Sequence, residues 1–305
     1  MKTALVTGSS GFVGRHFVKE LNRRGWRVVR CDIKDQNQRD VMELARANQM
    51  TYDLVVHCAA RNPHRKAIDT QPAAMVYNQM LDAVIFEWAI RSRPKHMIYL
   101  SSSAVYPVGL QTPRAFHYRM SEKDADTSLI TTDLLKVLGS MADLQPDGIY
   151  GKIKRTGEGL ALQLQDAGVK VHVVRPFSGY GEDQATDYPF GRFAEQINAG
   201  YPVIRLWGDG HQVRDWVHVD DVVNGALAMV DAEISAPHNL CTGVGTNMMT
   251  LIAKMAKEAG YVPRLEFVKG PTGVAVRVGD PGRMEQVYTP KISLDEGVFR
   301  AIRKR

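Results

Sequence analysis

The 305-residue chain contains no run of eighteen apolar residues, so no helical membrane span is expected. Cysteine is scarce. Cys31, Cys58 and Cys241 lie far apart, in no metal-ligand spacing and too few for a disulfide framework, which points to reduced thiols in a cytoplasmic protein. His57, His64, His117, His211 and His218 likewise lack ligand spacing, and no metal is expected. Internal repeats and low-complexity tracts are absent. The N-terminus, Met1 to Val6, runs straight into a glycine turn, too short and too quickly broken to read as a secretory leader. The balance of 39 basic to 33 acidic residues leaves a net charge of +6. Those residues are spread along the chain, without a dense Lys/Arg tract interleaved with aromatics. A phosphorylated small molecule therefore suits the surplus better than nucleic acid. The basic tail Arg300 to Arg305 reads as a solvated end.

What is present is an ordinary globular composition, 44% hydrophobic and 24% charged, in a length that allows a nucleotide-binding domain with a smaller lobe. The apolar run Thr3 to Val6 leads into Thr7-Gly8-Ser9-Ser10-Gly11-Phe12-Val13-Gly14. A helical pattern through Phe17, Val18 and Leu21 follows and stops at Gly25. Strand, glycine turn and helix in that order let the backbone approach a pyrophosphate and aim free N–H groups at it. The next strand, Arg27 to Cys31, ends at Asp32, whose carboxylate can accept both ribose hydroxyls and would repel a 2′-phosphate. NAD is thereby favoured over NADP. Alternation continues with a helical segment opening at Arg39-Asp40-Val41, an apolar strand Leu54 to Ala60, a helix around Asn78 to Ile90, and a strand Met97 to Leu100 that runs into Ser101 to Pro107. Ligands of such sheets sit at the carboxyl ends of the strands, where the glycine turn, Asp32, Ala59, Ala60 and the serines all fall. Past Pro107 the least regular stretch carries apolar positions at helical spacing between Thr131 and Leu144.

Tyr150 and Lys154 are four apart, one turn along a helix that runs to about Asp166 and ends at Gly168. A phenol ionises near pKa ~10, and a neighbouring ammonium favours the phenolate. The pair is a candidate base and its activator for drawing a proton from an alcohol. Alone it is a common chance spacing; its position behind a dinucleotide-binding half gives it weight.

These motifs in order resemble the extended short-chain dehydrogenase/reductases of the nucleotide-sugar epimerase and dehydratase group. The likeness extends through Arg175-Pro176-Phe177-Ser178-Gly179-Tyr180-Gly181, Gly208 to Val222, Asn239 to Gly243, Arg277 to Asp280 and Leu294 to Gly297. It implies a Rossmann-type doubly wound parallel α/β sheet over residues 1–175 and a smaller, mainly substrate-binding lobe over 176–305, some segments of which return to the sheet. It implies Ser102, Tyr150 and Lys154 as the catalytic set. NAD would be held by Gly8, Gly11, Phe12, Val13, Gly14, Asp32, Asp40, Val41, Ala59, Ala60, Asn78, Tyr150, Lys154 and Pro176. A nucleotide-diphosphate sugar would be met by Ser103, Ser178, Arg214, Arg277 and Asp280, with both arginines facing its pyrophosphate. A homodimer through the Asn78 and Tyr150 helices is also implied.

The departures narrow the chemistry. Dehydratases of this group carry an acidic pair directly after the catalytic hydroxyl, where this chain has Ser103 and Ala104. The 3,5-epimerising relatives carry a cysteine at the position of Ala104. A 4-epimerase is the first expectation; a dehydratase, decarboxylase or dehydrogenase on a similar substrate, or a non-catalytic NAD-binding protein, are the alternatives. Three oddities lie on the substrate side. The segment between Ser102 and Tyr150 is long, leaving lid, dimer contact and inert insertion open. Ser178 replaces an expected asparagine, and the stretch from Asp280 to Pro290 is short.

Overall fold

The computed structural model describes residues 1–33, 41–43, 50–61, 72–126 and 141–303. Asp40, Leu44, Pro63 and residues 127–140, which hold most of the expected Thr131 to Leu144 helix, lie outside that set. The elements used below are β1 (Thr3–Thr7), α1 (Phe12–Arg23), β2 (Arg27–Cys31), β3 (Leu54–His57), α2 (Pro72–Ser92), β4 (His96–Leu100), α3 (Gly148–Gln163) and β5 (Lys170–Pro176). They continue with β6 (Ser178–Tyr180), α4 (Pro189–Asn198), β7 (Val203–Trp207), β8 (Val213–His218), α5 (Val219–Asp231), β9 (His238–Leu240), β10 (Gly245–Asn247), α6 (Met248–Ala259), β11 (Arg264–Val268), β12 (Val276–Arg277) and α7 (Leu294–Arg303).

Among the described residues, six strands form a parallel sheet in the order β2-β1-β3-β4-β5-β9. Strand periodicity of two decides what each face meets. Leu5, Val55, Met97, Tyr99, Val171 and Val173 turn to one face and pack under α2 and α3 against Leu81, Ile85, Trp88 and Ala161. Ala4, Val6, Leu54, Val56, Ile98, Leu100 and Val174 turn to the other, under Phe17 and Leu21 of α1 and Val222, Ala226 and Leu227 of α5. Burial on both faces explains why these strands read as continuous apolar runs. Each fully buried Leu, Ile or Val contributes roughly 1.5–3 kcal/mol. The sixth strand and α5 come from beyond residue 176. A second sheet has β8 at its centre with β6, β10 and β12 beside it, and β7 pairs with β11. These strands with α4, α6 and α7 enclose a separate cluster around Tyr180, Phe190, Trp216, Leu251 and Val298.

The stretch after Ser102 is a series of 3-10 turns rather than a free loop. Leu110, Met120 and Ala125 pack with Tyr106, Leu144, Phe177 and Cys241. It is pinned at both ends: Pro107 bridges Pro146, and Met120 bridges Gly279. Met141–Leu144, where the helical expectation ends, is itself a 3-10 turn. The short stretch after Asp280 holds one 3-10 turn, Met284–Gln286.

On the far edge of the sheet, His172 is buried. Its Nδ1–H donates to the Ile234 carbonyl (2.6 Å), and its Nε2 accepts from His96 Nδ1 (3.0 Å). His172, which accepts there, is therefore the neutral ring. Burial first, and the His96 charge second to it, push the His172 pKa down to about 4. The unfolded chain titrates near 6.5, so it binds more protons than the folded chain between these values. Stability is whole above about pH 6.5 and falls as pH drops toward 4, by about 3 kcal/mol in all. Urea unfolding at pH 7.5 and pH 5.0 should show wild type losing about 2 kcal/mol more than His172→Asn; equal losses would refute the assignment.

Candidate active site

The sheet order reverses between β1 and β3, and the loops leaving these two strands meet there, as expected of a ligand crevice. Gly8 has φ +66°, and a Cβ on it would lie 2.7 Å from the Ala59 nitrogen and the Cys58 carbonyl. A Cβ on Gly14 would lie 2.1 Å from the Gly8 oxygen. Only glycine permits this close turn. Gly11 N–H donates to the Gly8 carbonyl (3.0 Å). Gly11 is also the N-cap of α1 and offers no side chain to its first N–H groups, so they face the crevice mouth. Phe12 is edge-on to His16, and Arg15 stacks over its ring. Val13 is half-buried beside the sheet core.

Asp32 follows β2, is buried, and accepts the Ser10 N–H (2.9 Å). This fixes the acid against the glycine turn and leaves its second oxygen directed by the same anchor. Val41 is buried under α2. After β3, Ala59 N–H donates to Thr7 Oγ1 (3.2 Å), while Ala60 is exposed. Asn78 on α2 is buried and clamps the next residue in both directions: its Oδ1 accepts Arg61 N–H (2.7 Å) and its Nδ2 donates to the Arg61 carbonyl (2.8 Å). A cradle that a Cβ would fill, an uncapped helix N-terminus and a fixed acid at the next strand suit a dinucleotide. Asp32→Ala is expected to lower selectivity for NAD over NADP roughly 10- to 100-fold in fluorescence titrations, the scale of a charged hydrogen bond; a wild type that prefers NADP would refute the role.

The carboxyl end of β4 carries the serines. Ser101 Oγ donates to Glu158 Oε1. Ser102 caps the following turn, its Oγ accepting Ala104 N–H (3.1 Å). Ser103 and Ala104 are buried. The α3 helix approaches this segment through glycines: a Cβ on Gly151 would strike the Ala104 oxygen at 2.2 Å, and one on Gly157 would strike the Tyr99 hydroxyl at 2.0 Å. Interior glycines weaken a helix by about 1 kcal/mol each, and here that cost permits the close approach. Asp147 N–H donates to the same Ala104 carbonyl (2.9 Å). Tyr150 is half-buried in the first turn of α3. Lys154 is buried, donates from Nζ to the Leu100 carbonyl (2.7 Å), and lies 4.9 Å from the centre of the Tyr99 ring. Its immediate partner is therefore the end of β4.

On the substrate side Arg214 of β8 and Arg277 of β12 are level neighbours. Both guanidinium groups are engaged within the protein. Arg214 donates to the Val213 and Val274 carbonyls (2.8 Å each), and Arg277 pairs with Asp147 (2.6 Å) and donates to Gln111 Oε1. A half-buried guanidinium needs such acceptors. Ser178 lies on β6, level with Trp216 of β8. Asp280 accepts Gly282 N–H (2.9 Å), and Pro176, the last residue of β5, is level with Leu240 of β9.

Several pairings between residues of these motifs were not read from the sequence. Glu158 accepts from Arg175 at 2.8 and 2.7 Å, Arg175 also reaches Tyr106 Oη, and Tyr106 donates to Asn239. The phenol of Tyr188 is raised by burial and then by the charge of Tyr150, which sets it within electrostatic reach of the candidate base. Asp82, His57 and Tyr99 form a buried cluster behind Lys154. Only a pairing across more than ten residues of sequence could have revealed these.

Comparison with known proteins gives the family and the fold. The sequence profile of the NAD dependent epimerase/dehydratase family matches residues 4–241. A dTDP-4-dehydro-6-deoxy-D-allose reductase from Streptomyces is 26% identical over 314 residues, covering 94% of this chain and 90% of the relative. A UDP-glucose 4-epimerase from Thermus thermophilus, solved with NAD, superimposes with a TM-score of 0.78 at 21% identity, covering 98% and 97% of the two chains. A dTDP-glucose 4,6-dehydratase from Streptomyces venezuelae does so with a TM-score of 0.80 at 21% identity, covering 99% and 96%. At these identities the two structures share the fold with this chain.

Proposed function

Because the chain belongs to the NAD-dependent epimerase/dehydratase family, we propose that it is a nucleotide-sugar epimerase acting at C4 through a transient 4-keto sugar. The observation that carries this reading is Lys154 bonded to the end of β4 and Gly151, beside Tyr150, closely packed on Ala104, with Ser103 and Ala104, not acids, following Ser102. Tyr150 takes the proton of the sugar hydroxyl. Ser102 Oγ then donates to the oxygen as it becomes a carbonyl, and Lys154 supplies positive charge behind the phenolate. Bound between the glycine turn and Asp32, NAD supplies the hydride acceptor and donor, and it ends the cycle unchanged. Asn78, through Arg61, holds the rim of that cleft, and Arg214 and Arg277 meet the diphosphate by exchanging the internal acceptors they hold. Exposed Val76 and Met80 on α2 and Leu160 on α3 support a homodimer through these helices.

The test is direct. The purified protein is denatured and released nucleotide identified, and the native protein is incubated with UDP-, GDP-, CDP- and dTDP-sugars. Interconversion of C4 epimers without added reductant supports the reading. Accumulation of a 4-keto-6-deoxy sugar, or turnover only with added NADH or NADPH, overturns it.

A further inference from the structure

Behind Lys154 lies a closed chain of polar side chains that the proposed reaction does not use. Ala59 N–H donates to Thr7 Oγ1, and Thr7 Oγ1 contacts His57 Nδ1 at 2.8 Å. His57 Nε2 lies 3.0 Å from Asp82 Oδ1, and Tyr99 Oη donates to Asp82 Oδ2 at 2.6 Å. Thr7, His57, Asp82 and Tyr99 are all buried. The donors run one way: the Thr7 hydroxyl can donate only to the imidazole, so Nδ1 is the acceptor and Nε2 carries the proton toward Asp82. Asp82 then receives two donors and has none to offer, which is the pattern of a carboxylate. Gly157 of α3 lets this carboxylate in, since a Cβ there would come within 2.8 Å of Asp82 Oδ2.

A buried carboxylate requires a counter-charge, and so does a buried ammonium. Lys154 Nζ faces the Tyr99 ring, whose hydroxyl is on Asp82. Cys58, just after β3, feels the Lys154 charge, and Tyr99 on β4 feels Asp82 from α2 and Tyr150 and Glu158 from α3. Glu158 is taken up by Arg175 of β5 in a two-bond pair. His57 links Thr7 to Asp82, and burial pushes the Cys58 thiol up and keeps it protonated. We infer that Asp82 is a positioning residue whose carboxylate, acting across the Tyr99 ring, is the counter-charge that keeps Lys154 an ammonium beside Tyr150. This rests on the reading of Tyr150 and Lys154 as the working pair. Burial alone would push the Asp82 carboxyl up, but the Lys154 charge and the His57 and Tyr99 bonds outweigh it and hold it below the usual carboxylate range.

The test needs no sugar substrate. The protein, saturated with NAD, is labelled with ¹⁵N-lysine, and the Lys154 ammonium is identified by its loss in Lys154→Met and titrated by NMR. In wild type the lysine is expected to be an ammonium throughout the neutral range; a midpoint within that range means that burial has prevailed and overturns the inference. Asp82→Asn should lower the midpoint by at least one pH unit in a protein whose circular dichroism is unchanged. A folded variant with an unchanged midpoint overturns the inference, and if the variant does not fold the wild-type midpoint decides. With a sugar that turns over, the alkaline limb of kcat/KM should move down with the lysine, whereas a merely structural role would lower kcat/KM equally at every pH. Failure of every sugar in the panel would count against the epimerase reading and leave the lysine titration decisive.

Discussion

Tyr150→Phe is expected to lower kcat on the chain's sugar substrate by roughly 10²–10⁴-fold, the span of a positioned general acid or base, with NAD still bound. The phenylalanine keeps the ring in the first turn of α3 and removes only the oxygen that takes the proton. Most of the groups proposed to hold the cofactor lie away from that oxygen, at the glycine turn between β1 and α1, at Asp32 and at the Asn78 clamp on Arg61. The effect should therefore appear in kcat, and nucleotide released on denaturation should match wild type. Retained turnover would remove Tyr150 as the base. Lost NAD together with lost turnover would instead indicate that the helix had shifted.

The cofactor half was legible because its physics is local. Glycine is required where Gly8 takes φ +66° and where Gly14 touches the Gly8 carbonyl, and both turn positions stand within a few residues of the strand and helix they join. The Tyr150 and Lys154 spacing is set by one turn of helix, so it too can be read from the sequence. The substrate side was less so. Arg277 appears in the sequence as a free cation suited to a pyrophosphate, yet its partners Gln111 and Asp147 are 166 and 130 residues away. No spacing rule encodes such a pairing. Between Ser103 and Ala125 there is no regular periodicity, because this part is built from 3-10 turns anchored by Tyr106, Leu110 and Met120. Lys154 shows both cases at once. Its place on the helix is written in the sequence, but its bond to the Leu100 carbonyl and its contact with the Tyr99 ring depend on how α3 lies against β4.

Glu158→Gln should have the second largest effect, on stability and on the site together. Glu158 and Arg175 are both buried, joined by two hydrogen bonds, and the same guanidinium reaches the Tyr106 hydroxyl and the Glu122 carbonyl. The four groups tie α3 to β5 and to the segment after Ser102. Removing one charge of a buried pair leaves the other without its counter-ion, which costs about 3–5 kcal/mol. For a chain of this size that is a fall in Tm of roughly 10 °C. Arg175 cannot escape by losing its proton, because a guanidinium stays charged in a protein. Replacing both members with apolar residues of similar volume, Glu158→Leu with Arg175→Met, should recover much of the loss, since neither charge is then stranded. The site would report separately from stability. Ser101, next to Ser102, donates to the same carboxylate, so the single variant measured well below its Tm should still show a reduced kcat, and the apolar pair should not restore it. A single variant with wild-type Tm would mean that Arg175 finds another partner and that the pair does not hold α3 against the sheet.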